Sequence, residues 1–200
     1  MADRLISLPA IEAAVWHQLA LAATDKQHDW RHPVLATVDD GMADARTVIL
    51  REVDADQKQF VTFSDHRAAK VKQLLRHPRA TMVMWSPALN WQLRCRVLLS
   101  LEMTGLAATS RWARIKLTPA AQDYLARLPP GAPRTTPDDM PGDTPDDDPE
   151  PRDAPGSGTM KREFFSVISA HVLAIDWLEL HREGHRRARF DVQGARWLQP

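Results

Sequence analysis

The sequence predicts a mainly β protein, an antiparallel β-barrel with a few helices at its periphery. Short segments of alternating apolar and polar residues recur along the chain, with turn signals between them. Helical segments are few and short, whereas a doubly wound parallel sheet would need one after almost every strand. The 200 residues, of which 44% are hydrophobic, suit a single domain spanning 1–200.

The first elements are predicted to be a helix and a hairpin. Residues 9–23 carry apolar side chains at the spacing of one helical face: Ile11, Val15, Leu19 and Ala22. Apolar residues then alternate over 34–38, turn residues follow at 39–41, and 45–53 is rich in Thr, Val and Ile. We therefore expect a β-hairpin with strands over 34–38 and 45–53.

A third strand is predicted over 60–63, and two more over 80–85 and 91–103. Between them, 67–76 has the spacing of a helix that ends before a proline. The buried face of this helix is predicted to consist of Val71, Leu74 and Leu75.

The second half begins with a predicted helix over 111–127 and closes with strands over 164–180, 186–192 and 195–198. The buried side of that helix is predicted to be Trp112, Ile115 and Leu117. The stretch between helix and strands, 129–158, holds nine of the fifteen prolines and eight acidic residues. It has almost no large apolar side chains whose burial would offset the entropy of ordering, so an acidic, proline-rich flexible loop is predicted.

Charge and cysteine content exclude several classes of function. Lys plus Arg equals Asp plus Glu at 26 each, so no overall field would recruit nucleic acid or an anionic membrane. The single cysteine, Cys95, excludes an internal disulfide and a cysteine zinc site, and we expect it to be a small core residue in a reducing compartment. No metal-ligand spacing is present, and no segment approaches the ~20 apolar residues of a membrane span. A cytoplasmic protein without a metal is therefore expected.

The first of three candidate binding segments is the predicted strand over 46–51. Its alternation places Arg46, Val48 and Leu50 on one face, and Thr47, Ile49 and Arg51 on the other. An arginine on a barrel strand can hold a phosphate through two hydrogen bonds. An arginine at a solvent-exposed strand end is an equally good interpretation of this segment alone.

The second segment, 62–70, runs from a strand into a helix whose first turn offers free N–H groups beside Arg67 and Lys70. Helix amino ends with nearby cations favour phosphate binding. The alternative interpretation is a helix capped by Ser64 or Asp65, with the two cations on a solvated face.

The third segment, 91–96, alternates so that Leu93 and Cys95 point inward. The opposite face of this strand is predicted to carry three polar side chains in a row: Gln92, Arg94 and Arg96. Such a row suits either a ligand or a subunit interface.

In order and spacing, these segments resemble the pyridoxamine 5′-phosphate oxidase-like FMN-binding split barrels. The resemblance covers about residues 33–103 and is carried by the runs VLATVDDG, ARTVILREVD, FVTFSDHRAAKVKQLLRHPRATMVMW and WQLRCRV. The tail, with AIDWLEL and GHRRARFDVQGARWLQP, is similar to a branch of uncharacterised FMN-binding proteins in that family. The resemblance implies a split β-barrel and FMN as the cofactor.

The resemblance also implies which residues bind FMN. The positions that match the family's FMN-contacting motifs are Arg46, Thr47, Val48, Ile49, Arg51, Val61, Thr62, Arg67, Lys70, Gln92, Arg94 and Arg189. In that family the matching glutamine reaches the flavin from the other subunit. This implies a homodimer with FMN at the subunit interface.

The motifs that hold the vitamin B6 substrate in the family are largely missing, since Trp112, Lys116 and 186–188 depart from them. The leading hypothesis is therefore an FMN-dependent oxidoreductase acting on an unidentified small molecule, without an assigned catalytic acid or base. Two alternatives remain. The protein could be a module that binds or stores flavin or haem without turnover, or an interaction protein that recruits a partner through 136–153.

Overall fold

The computed structural model describes residues 4–126, 128–133 and 163–200. The helices in this part of the chain are α1 (Leu8–Thr24), α2 (Ala69–Arg76) and α3 (Gly105–Ile115), with short 3-10 turns at Asp29–Arg31 and Pro119–Tyr124. The strands are β1 (Val34–Asp39), β2 (Met42–Thr47), β3 (Glu52–Asp54), β4 (Gln59–Asp65), β5 (Arg79–Ser86), β6 (Trp91–Glu102), β7 (Phe165–Glu179), β8 (Arg186–Asp191) and β9 (Gly194–Leu198). The protein is thus mainly β, as predicted.

The amino-terminal helix α1 forms where it is predicted and is fixed at both ends. The hydroxyl of Ser7 accepts a hydrogen bond from the backbone N–H of Ala10 at 3.3 Å and caps the first turn. The predicted apolar face of the helix is fully buried. At the other end, the guanidinium of Arg31 donates to the carbonyl of Ala22 at 3.2 Å. A cation is favourable there because the last carbonyls of a helix carry partial negative charge.

The first hairpin is confirmed, but its second strand is shorter than predicted. β1 and β2 pair around a turn in which Asp40 and Gly41 adopt positive φ, a conformation that suits both residue types. After Thr47 the chain leaves β1, and the prediction of one strand over 45–53 is wrong. These residues are divided among β2, a crossing segment at 48–51 and β3, because the crossing segment bonds to two different parts of the sheet.

The crossing segment closes the sheet into a barrel. The N–H groups of Val48 and Leu50 donate to carbonyls just before β1, and that of Arg51 donates to the carbonyl of Val61 in β4 at 2.8 Å. The sheet is antiparallel, with the order β2-β1-β5-β6-β7-β4-β3, and β8 and β9 continue from β7. Since β2 and β3 stand at the two ends of this order, the crossing segment between them joins the ends.

Alternation along the central strand β6 separates the core from the outer face of the sheet. Leu93 and Cys95 are fully buried, whereas Arg94 and Arg96 are exposed, as the sequence predicts. Burial raises the pKa of the Cys95 thiol to about 12. Cys95 is therefore an unreactive core residue.

Helix α2 buries a different face from the predicted one. Val71 and Leu74 are buried, but Leu75 is 66% exposed and the polar Gln73 is buried instead. The amide of Gln73 accepts a hydrogen bond from the hydroxyl of Thr37 in β1 at 2.6 Å. This polar contact compensates for burying the amide and sets the rotation of the helix.

Helix α3 is earlier and shorter than the predicted helix over 111–127. Trp112 is buried, as expected, but Leu117 lies beyond the end of the helix and is 85% exposed. Pro119 explains the early end, because the residue before a proline is disfavoured in the helical conformation. The chain continues from Pro119 as a 3-10 turn.

The closing strands over 164–180, 186–192 and 195–198 are confirmed as β7, β8 and β9. Of the predicted flexible loop at 129–158, residues 129–133 are described and the rest lies outside the described residues. No helix within the described residues is long and apolar enough to cross a membrane.

We expect Leu74→Ala to lower the free energy of unfolding by about 2–5 kcal/mol, since it leaves a cavity at a side chain that is 2% exposed. The neighbouring Leu75→Ala should change it by less than about 0.5 kcal/mol. Urea unfolding at equal protein concentration measures both effects. Similar losses at the two leucines would contradict the observed face of α2.

Candidate functional site

A cavity of about 220 Å³ opens where the crossing segment, the end of β4 and the start of α2 meet. We call it the crossing cavity. Its lining includes five of the residues predicted to bind the cofactor: Thr47, Val48, Ile49, Arg51 and Lys70. The fold therefore brings the first two candidate segments together at one place.

Arg67 stands beside the cavity but does not line it. Its guanidinium pairs with the carboxylate of Asp65 at 2.7 Å, donates to the carbonyl of Ala126 at 2.8 Å and lies over the ring of Phe164. Asp65 also accepts the backbone N–H of Arg67 at 2.7 Å. Arg67 thus braces the loop before α2, and the charge of Asp65 is already matched.

The amino end of α2 meets the cavity without a side-chain cap. Ala68 is the N-cap residue and lines the cavity, and no side chain within the described ranges caps the first turn. The alternative of a helix capped by Ser64 or Asp65 is wrong, because the helix begins only at Ala69. Uncapped N–H groups at the positive end of a helix dipole favour an anion.

Two cations in the cavity wall, Lys70 and Arg51, keep hydrogen-bonding capacity that the described residues do not use, although Arg51 also interacts with Tyr124. Burial, and then the nearby charge of Arg46, lowers the pKa of Lys70. Lys70 makes no hydrogen bond or ion pair with any described residue, and the Nε atom of Arg51 is buried without a hydrogen-bond partner. Burying such groups without compensation is costly. The pair therefore fits an anionic ligand such as a phosphate.

Tyr124 lines the same wall and was not predicted from the sequence. Burial raises the pKa of Tyr124, and the adjacent Arg51 opposes that rise. The guanidinium of Arg51 also lies 5.5 Å from the ring centroid of Phe63.

Arg51 also lies close to a second arginine, Arg31. Burial, and then repulsion by Arg51, lowers the pKa of Arg31. An anion beside Arg51 would relieve this crowding of positive charge.

The side chain of Arg46 contacts other residues of the protein and does not line the crossing cavity. It donates to the carbonyl of Leu35 at 3.3 Å and to the amide oxygen of Gln73 at 2.8 Å, and it pairs with Asp44. These contacts tie β1, β2 and α2 together. Besides burial, the nearby charge of Arg46 lowers the pKa of Lys70, which does line the cavity; the direct contact of Arg46 with a cofactor phosphate stays a prediction.

Val61 and Thr62, also predicted from the resemblance, are buried and do not line the cavity. Val61 packs with Trp112 and Tyr124 in the smaller of the two core clusters. Its carbonyl accepts the N–H of Arg51. Val61 thereby positions Arg51.

The remaining predicted residues, Gln92, Arg94 and Arg189, lie on the outer face of the sheet. Within one chain they do not join the crossing cavity. Arg94 and Arg189 flank Asp176 across neighbouring strands, and Arg94 pairs with it at 2.7 Å. Arg187 pairs with the same carboxylate at 2.8 Å. Burial alone would raise the pKa of Asp176, but the hydrogen bonds from Arg187 and Arg94 outweigh it, and the pKa is lowered.

Comparisons with known proteins relate the first half of the chain to one family. Residues 13–100 match the model of the FMN-binding domain of pyridoxamine 5′-phosphate oxidase. A pyridoxine/pyridoxamine 5′-phosphate oxidase from Thermosynechococcus vestitus is 46% identical over 61 residues, which are 30% of this chain and 28% of that protein. The segments that align with three curated oxidases span 28%, 35% and 39% of the lengths of those proteins.

Solved structures share the fold over almost the whole chain. A pyridoxamine 5′-phosphate oxidase-related, FMN-binding protein from Nostoc punctiforme superposes with a TM-score of 0.65 at 24% identity, covering 94% of this chain and 96% of that one. PhzG from Burkholderia lata, solved with tetrahydrophenazine-1-carboxylic acid, gives 0.69 at 14% identity, covering 99% and 98%. These likenesses confirm the predicted split β-barrel.

We expect Asp176→Asn to lower the free energy of unfolding by about 1–3 kcal/mol at pH 7, because it removes a carboxylate held by two arginines. The pKa of Asp176 is lowered in the folded state, so its contribution is present above the unfolded value of 3.8 and is lost as the pH falls through the folded value. The difference from the wild type should therefore shrink between pH 7 and pH 3 in urea unfolding. Asp56→Asn, at an exposed position, is the control, and an unchanged difference at pH 3 would contradict the assignment.

Proposed function

We propose that this chain, whose residues 13–100 match the FMN-binding domain of pyridoxamine 5′-phosphate oxidase, belongs to that family of split barrels and is a flavin-dependent oxidoreductase. In this proposal the protein binds FMN as a homodimer and acts on a small molecule. The crossing cavity carries the proposal, because it combines Lys70, which makes no hydrogen bond or ion pair with a described residue, and the orphaned Nε atom of Arg51 with an uncapped helix amino end. That combination suits the phosphate of FMN.

In this proposal the residues around the cavity have different roles in FMN binding. Lys70 and the first N–H groups of α2 would bind the phosphate, and Arg51 would extend the positive charge along the cavity wall. The backbone of 47–49 would face the ribityl chain and the ring. Arg67 and Arg46 would act indirectly, since one orders the loop before α2 and the other fixes α2 against the sheet.

The homodimer would complete the site from a second chain. Gln92, Arg94 and Arg189 lie on a different surface from the crossing cavity. In the family that the chain resembles, the residue matching Gln92 reaches the flavin from the partner subunit, with the residue matching Arg94 beside it, and the residue matching Arg189 lies near the flavin. When bound, FMN supplies the redox chemistry. A cation from Arg51 or Arg189 near the pyrimidine edge of the flavin would favour negative charge there. The cytoplasmic location remains a prediction.

A second candidate is a module on the same barrel that binds flavin or haem without turnover. A heme-binding protein from Mycobacterium smegmatis shares the fold, with a TM-score of 0.51 at 15% identity. No histidine lines the crossing cavity among the described residues, so axial ligation of haem by histidine has no support there. The visible spectrum of the purified protein distinguishes flavin from haem.

We expect Lys70→Met to weaken FMN binding by about tenfold to a hundredfold, because it removes one charge-assisted hydrogen bond to the phosphate. Titration of the flavin-free protein with FMN, followed by flavin fluorescence, gives the Kd. Lys72→Met is the matched control, since Lys72 is exposed on the same helix, and it should leave the Kd within about twofold. Equal effects of the two substitutions would remove the crossing cavity as the phosphate site.

Turnover requires a separate test. We expect at least one donor among B6 vitamers and reduced nicotinamide nucleotides to bleach the bound flavin faster than it bleaches free FMN. Stopped-flow absorption measures both rates, and quinones added afterwards test reoxidation. A flavin-loaded protein that no donor bleaches faster than free FMN would favour the non-catalytic module.

A further inference from the structure

A depression on the outer face of the sheet has a floor of small residues around one arginine. Register aligns five residues in a row across β1, β5, β6, β7 and β8: Ala36, Thr81, Arg96, Ala174 and Asp191. Because the immediate neighbours of Arg96 in this row are small, the side chains on either side leave open space around its guanidinium. The space is about 680 Å³, and a smaller depression of about 130 Å³ continues from it towards Asp176.

An irregularity in β7 widens this depression. The register between β6 and β7 shifts after Arg96, which pairs with Ala174, while Val97 pairs with Val172. Leu173 is left without a partner in the ladder and is 41% exposed. Bulges of this kind re-aim side chains and are common beside functional sites. Leu173 gives the depression an apolar wall next to its arginine.

The depression carries an excess of positive charge. Each of two carboxylates is shared by two arginines: Asp176 by Arg94 and Arg187, and Asp191 by Arg189 and Arg196. Arg96 makes no hydrogen bond or ion pair with any residue in the described ranges. The whole chain has a formal net charge of zero, so this concentration of arginines is local. A cluster of guanidinium groups in a recess favours an anionic oxygen group.

We propose that the depression over Arg96 is a subsite for a small molecule with a flat or apolar body and an anionic oxygen group, a carboxylate or a phosphate. Arg96 binds the anionic group, the free terminal nitrogens of Arg189 add a second contact, and Leu173 and Ala36 contact the apolar body. This inference deepens the proposed function and rests on it in taking the anionic molecule to be the substrate. Anion binding itself does not depend on FMN.

The test is calorimetric titration of the purified protein with benzene-1,3-dicarboxylate and, separately, with inorganic pyrophosphate. The two probes distinguish a carboxylate from a phosphate source. We expect Arg96→Gln to weaken the binding of the preferred probe by about tenfold or more. Arg182→Gln removes the same charge at an exposed position in the turn between β7 and β8, and should change the affinity by less than about twofold.

A second variant fills the space and keeps the charge. Thr81→Leu places a larger side chain beside Arg96, and it should weaken the preferred probe to a similar extent while FMN content stays at the wild-type value. Failure of both probes to bind the wild type, or equal affinity of the preferred probe for the wild type and Arg96→Gln, would overturn the proposal. If Arg96→Gln instead changes only the dimer dissociation constant in sedimentation, the depression serves a contact between two copies and the proposal is wrong.

The two proposals fail in different ways. Loss of FMN binding in Lys70→Met, with probe affinity intact, supports both sites. A wild-type protein that takes up no FMN but binds the dicarboxylate through Arg96 would remove the flavin function and leave the anion subsite.

Discussion

Three backbone hydrogen bonds of the crossing segment hold the rest of the structure in place. Val48 and Leu50 donate to Pro33 and Arg31, and Arg51 donates to β4. These bonds join the two ends of the sheet, so the barrel depends on them, and they also determine where Arg51 lies. The crossing segment therefore closes the fold, and three of its residues, Val48, Ile49 and Arg51, form one wall of the crossing cavity. Closure and ligand binding are consequences of one local conformation.

The arginines around the cavity and those on the outer face of the sheet differ in how they pair with carboxylates. Around the cavity, Arg46 and Arg67 are matched by Asp44 and Asp65 and serve to fix α2 and its preceding loop. The charge available to a ligand is left to Lys70, Arg51 and the helix end. On the outer face, carboxylates order pairs of arginines without matching their charge. In both places the ion pairs with acidic side chains determine which cations remain free to bind an anionic ligand.

The sequence predicts the class of fold well because alternation and turn residues are local signals, and the central strands obey them. It fails where tertiary contacts compete. Gln73 displaces Leu75 from the buried face because its amide has partners on β1 and β2. The sequence predicts part of the cavity lining, since Arg51 and Lys70 belong to recognisable motifs. Tyr124 comes from a 3-10 turn far away in the chain, and no motif connects it with Arg51.

The position of β7 has a consequence for how the chain acquires its fold. This strand pairs with β4, β6 and β8, and its first residue, Phe165, pairs with Asp65, one hundred residues earlier. Contacts at such separations are slow to form, because a long loop must close before they stabilise anything. During synthesis, the helices and the hairpin of the first half would emerge well before their central partner. The barrel, and any cofactor retained by it, would thus be completed only after β7 has left the ribosome.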